Sequence, residues 1–95
     1  DVNKPVKSGV SPFCISCYNG HLEIIQLLLA SKRVNVHHVS NDESNGFYYA
    51  CENGQIKVVS LLIQEERIDV NRQNSLGKTG FYAACEKGYL DIVRL

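Results

Sequence analysis

FYYACENG, residues Phe47 to Gly54, returns 34 residues later as FYAACEKG, Phe81 to Gly88. It is foreshadowed 34 residues earlier by FCISCYNG, Phe13 to Gly20. Phe, Cys and Gly hold register at 13/47/81, 17/51/85 and 20/54/88. Each copy runs into an apolar segment of one design: LEIIQLLL from Leu22, IKVVSLLI from Ile56 and LDIVRL from Leu90. A fixed period of this length is the mark of stacked repeats, in which each unit buries its apolar face only against its neighbours. The period therefore predicts a solenoid, and the helix signals within each copy make it all-α.

Working outward, each copy reads as helix, glycine break, helix, extended connector. Ser11-Pro12 starts the first helix: a hydroxyl caps the end, and proline at the first position lacks an N–H that has no partner there anyway. That helix is expected to end at Tyr18 or Asn19, stopped by Gly20. A second runs from Leu22 to about Ser31, and its apolar residues Ile24, Ile25, Leu27, Leu28 and Leu29 cover most of its circumference, which predicts burial between neighbours. The second copy places helices at about 45–53 and 56–65, the third at about 79–87 and from 90 onward. The connectors alternate Val34 with Val36 and Ile68 with Val70, and carry turn chemistry at 41–46 and 74–78.

These motifs resemble the ankyrin repeat. Gly9-Val10-Ser11-Pro12-Phe13-Cys14 and Gly77-Lys78-Thr79-Gly80-Phe81-Tyr82 are similar to that family's Gly-x-Thr-Pro-Leu-His opening. Gly20-His21-Leu22 matches its Gly-His, and Asp69-Val70-Asn71 its loop. The resemblance covers essentially the whole chain and implies a helix–turn–helix solenoid with extended, hairpin-like loops. On it, residues 1–10 read as the tail of a preceding unit and its turn, 11–44 and 45–78 as whole units, and 79–95 as a third, cut short. The chain is expected to be a piece of a longer array.

Departures from the family pattern carry their own expectations. The family's His is Cys14, Tyr48 and Tyr82 here, and the two tyrosines are expected to pack on the adjacent unit. Gly46 and Gly80 replace proline, which predicts looser helix starts. Glu43 stands where the turn glycine belongs, and the loop after each second helix has one extra residue and no glycine.

Bulk composition narrows the function classes. The 95 residues carry ten basic and ten acidic side chains, interspersed, for zero net charge, so no electrostatic footprint points to nucleic acid or an anionic membrane. No apolar run approaches the ~20 residues of a membrane span. Cys17, Cys51 and Cys85 share one register position; stacked helices ~8–10 Å apart hold such residues too far apart to bridge, so they are expected as core thiols of an intracellular, cytoplasmic protein. Cys14-x-x-Cys17 has zinc-ligand spacing with His21, His37 and His38 downstream, but the column accounts for Cys17 without a metal. No phosphate-cradling loop, nucleophile elbow or supported carboxylate pair is present, so neither a cofactor nor catalysis is expected.

The resemblance implies work by binding: in such stacks the first helices and loop tips line a concave face. The register assigns to that face Tyr18 and Asn19, Glu52 and Asn53, Glu86 and Lys87 at the ends of the first helices. At the loop tips it places Lys7, Ser8 and Val10; Asn41, Asp42 and Ser44; Ser75, Leu76 and Lys78. Tyr49 joins them on the helix face. These positions vary between copies while the frame stays constant. The expected function is non-catalytic binding of a protein partner. The alternative is a structural spacer whose ends expose apolar surface and stack on other copies of the chain; a zinc-dependent module comes third.

Overall fold

The computed structural model describes residues 11–31, 39 and 43–95, and among these it contains six helices and no strand. They are α1 (Pro12–Asn19), α2 (Leu22–Ala30), α3 (Gly46–Glu52), α4 (Ile56–Ile63), α5 (Gly80–Lys87) and α6 (Leu90–Val93). Helices α1, α3 and α5 pack side by side as one row, α2, α4 and α6 as a second, and each pair is an antiparallel hairpin.

The same local chemistry makes all three hairpins. Ser11, Asn45 and Thr79 cap the first helices by accepting from the backbone N–H groups of Cys14, Tyr48 and Tyr82 at 3.2, 2.9 and 3.1 Å. At the other end, the left-handed Gly20 (φ 74°) lets the His21 N–H reach back to the Ser16 carbonyl at 3.0 Å. Gln55 to Ala50 and Tyr89 to Ala84 repeat that bond at 2.9 Å.

The core runs through Phe13, Cys17, Ile25, Phe47, Cys51, Val59, Leu62, Ala84 and Ile92, all buried. What lets the rows close is glycine at the start of α3 and α5. A Cβ at Gly46 would lie 2.8 Å from Phe13 Cε2 and 2.9 Å from Cys17 Sγ. One at Gly80 would lie 2.8 Å from Phe47 Cδ2 and 3.0 Å from Cys51 Sγ. At these helix starts, expected to be looser for want of proline, each helix is side-chain capped, and the missing Cβ is the room into which the preceding Phe and Cys pack.

Three further expectations change. Of α2 only Ile25 is buried, while Ile24 and Leu27 are exposed: its apolar girth exceeds the cover that α1 and α4 supply. Cys17 and Cys51 are buried but Cys85 is exposed, because this column points at the start of the next first helix and, among the described residues, nothing packs beyond α5. Tyr48 is buried as expected, whereas Tyr82 is 52% exposed for the same reason.

The connector from Gln64 to Thr79 is tied down at Arg67, Asp69 and Asn74. Arg67 donates to the Leu29 carbonyl at 2.7 Å and pairs with Glu65 at 3.0 Å, so the start of the connector, where no glycine stands, is fastened to α2. Asn45 donates to the Asp69 carbonyl at 3.1 Å, and Asn74 closes a tight turn by accepting from the Leu76 and Lys78 N–H groups.

Glu43 occupies the left-handed region at φ 65°, the equivalent of Gly77 at φ 76°. Its carbonyl accepts from Arg72 Nε at 3.3 Å, while its carboxylate lies 3.8 Å from Arg72 in an exposed pair. Left-handed backbone costs a side chain about 1 kcal/mol and such an exposed pair contributes at most about that. Glu43→Gly is therefore expected to leave chemical-denaturation stability level or raised by up to about 1 kcal/mol; a clear loss would mean the ion pair outweighs the strain.

Candidate partner-binding surface

The first-helix row presents its outer face through residues that the N-caps and glycine breaks hold in register. Ile15 and Tyr18 of α1 and Tyr49 of α3 meet there, with the Tyr18 and Tyr49 rings edge to face at 6.0 Å and 66°. Tyr48 backs them, its ring 6.3 Å from that of Tyr49. Ile15, Tyr18, Asn19 and Tyr49 line an open recess of about 310 Å³. Tyr18 is 41% exposed at its mouth, and Glu52 lies one helical turn beyond Tyr49, half-buried.

Not every residue expected on this face is free to act there. Asn53 donates its amide to the Tyr18 carbonyl at 2.8 Å, and Gln55 to the same oxygen at 3.1 Å, so both lock the end of α1 to the next hairpin. Lys78 Nζ lies 3.3 Å from Glu86 and 5.5 Å from the centre of the Tyr82 ring. That carboxylate raises the Lys78 pKa. Asn19, Lys87, Ser75 and Leu76 are exposed, Leu76 at 74% on the turn closed by Asn74. Ser44 is buried rather than at a tip, because Asn74 donates to its hydroxyl at 3.3 Å. Lys7, Ser8, Val10, Asn41 and Asp42 lie outside the described residues.

The sequence alone does not single out Ile15, and it leads one to expect Tyr82 packed on an adjacent unit. Whether either is covered depends on what neighbouring elements bring over it, and no signal in its own helix states that.

The thiols offer no exposed nucleophile pair. Burial pushes the Cys51 thiol up to about 12 and the Cys17 thiol well above its ordinary range; it raises that of Cys14 too, against the hydrogen bonds from Ser11. Cys85 alone of the four is exposed. At pH 8 a disulfide reagent such as Ellman's is expected to modify one thiol quickly and the other three only on unfolding, since the thiolate is the reactive form. Two or more fast thiols would contradict the buried column. The unfolded chain ionises its thiols from about 8.5. The folded state's advantage is thus whole below that value and is lost as pH rises toward 12.

Among the described residues no cluster of three or more His, Cys, Asp or Glu is arranged to hold a metal ion. Cys14 and Cys17 are buried, His21 is exposed, and His37 and His38 are outside the described set. No described helix is long and apolar enough to cross a membrane.

A family model described as ankyrin repeats, in three copies, matches residues 13–95. No curated protein matches the chain.

Proposed function

Because this chain belongs to the ankyrin-repeat family, whose members are in general non-enzymatic protein–protein interaction modules, we propose that it binds a protein partner through the face of α1, α3 and α5 and the adjoining turn at Leu76. The observation that carries the reading is the recess between Ile15, Tyr18 and Tyr49. It is an apolar, aromatic depression on a hydrogen-bonded frame, the setting in which a partner's side chain finds an anchor. A preformed surface also loses little conformational freedom on docking. Four free cysteines, three of them buried, suit an intracellular, reducing compartment.

A second reading, a spacer that stacks on copies of itself, draws on the exposed Cys85, Leu90, Val93 and Leu95.

The test is capture of a partner by the chain and by a variant carrying Tyr18→Ala, Tyr49→Ala, Glu52→Ala and Leu76→Ala, with circular dichroism confirming both fold. The expected result is a protein retained by the first, lost by the second, and rebinding in purified form by calorimetry. Equal capture by both would remove this face from the function, and concentration-dependent sedimentation of the chain alone would favour the spacer.

A further inference from the structure

We propose that the recess between α1 and α3 receives an arginine side chain of the partner, its guanidinium stacked on a tyrosine ring and its charge met by Glu52. This rests on the reading of the face as a protein-docking surface and names the chemistry of its central contact.

The chain itself shows how this face holds a cation. Lys78 lies over the Tyr82 ring and 3.3 Å from Glu86, one helical turn further along α5. Thirty-four residues earlier the same register reads Ser44, Tyr48 and Glu52: the carboxylate is present, the Tyr48 ring is buried behind Tyr49, and serine stands in place of the lysine. Glu52 is half-buried and, among the described residues, forms neither an ion pair nor a side-chain hydrogen bond. The acidic position is therefore repeated on α3 without the cation that accompanies it on α5.

The recess supplies what a charge alone would not. Tyr49 stands one turn before Glu52, and Tyr18 lies edge-on to it at 6.0 Å. The negative face of a tyrosine ring attracts a cation. Ile15 lines the same recess and offers apolar surface to an aliphatic stem, while Asn19 offers a carboxamide oxygen to an N–H donor. Arginine meets all of these at once, being planar, weakly hydrated and built on an apolar stem. Lysine, a strongly hydrated point charge, would use the carboxylate but little of the ring.

The test uses the whole chain, labelled with nitrogen-15, and two probes: N-acetyl-arginine methylamide and its uncharged, nearly isosteric citrulline counterpart. The expected result is a saturable shift of the amide signals of Ile15, Tyr18, Asn19, Tyr49 and Glu52 with the arginine probe, and a weaker one with citrulline. Glu52→Gln is expected to weaken the arginine probe about two- to fivefold. Tyr49→Leu should weaken it by a similar factor, about two- to fivefold. Glu66→Gln, which removes the same charge from an exposed loop, should leave it unchanged. Equal response to both probes, an effect of Glu66→Gln matching that of Glu52→Gln, or no shift in the recess would overturn the proposal. If the recess ignores arginine while the fourfold variant still loses its partner, the docking face stands and its arginine contact falls. If the partner is retained as well, the functional reading falls with it.

Discussion

Phe47→Ala is expected to lower the unfolding free energy by about 3–5 kcal/mol, the usual cost of emptying a buried aromatic site. The ring is 1% exposed, meets the Phe81 ring edge to face at 5.4 Å, and fills the space left open by Gly80. It thus holds α3 to α5 as well as filling its own hairpin. In a repeat stack stability resides mainly in such interfaces. Small domains have only about 5–15 kcal/mol in hand, so the loss is a large share of the whole. Urea denaturation followed by circular dichroism at 20 °C measures it. Phe81→Ala, at a half-buried ring with nothing described beyond it, is the comparison. Equal losses from the two would show that position in the stack does not set the energetics.

Gly80→Ala is expected to destabilise by about 1–3 kcal/mol, the range for overpacking a closed core. Helix propensity alone argues the opposite sign, since alanine is the better helix former by about 1 kcal/mol. Packing wins because the added methyl meets two carbons of a rigid, buried ring at 2.8 and 2.9 Å and the buried Cys51 sulfur at 3.0 Å. Phe47→Leu in the same molecule removes part of that ring and is expected to recover part of the loss. The double variant should then be more stable than the sum of the singles predicts, by about 0.5–3 kcal/mol. Strict additivity, or stabilisation by Gly80→Ala alone, would refute the contact.

The same glycine shows where sequence reading reaches its limit. Gly80 in isolation is a proline lost from a familiar opening, and loosening is the natural expectation. Its purpose appears only when Phe47, 33 positions earlier, is seen lying against it. Cys85 teaches the converse. Its register with Cys17 and Cys51 is plain, yet burial is a property of the neighbour that a position faces, and the column faces one unit ahead. Tyr18 and Tyr49 were legible as variable positions on a fixed frame; that they meet edge to face and share a recess with Ile15 was not. Asn53 looked equally available, but its amide is committed to the Tyr18 carbonyl.

By itself the sequence determined the architecture. Capping residues, glycine breaks and apolar periodicity act over a few neighbouring residues, so three copies in register state the hairpins and their order without reference to anything distant. Tertiary structure alone decided which members of each repeated set are covered and which are presented. That follows from contacts between hairpins 34 residues apart, where a missing Cβ, a borrowed carbonyl or an uncovered ring depends on both partners together.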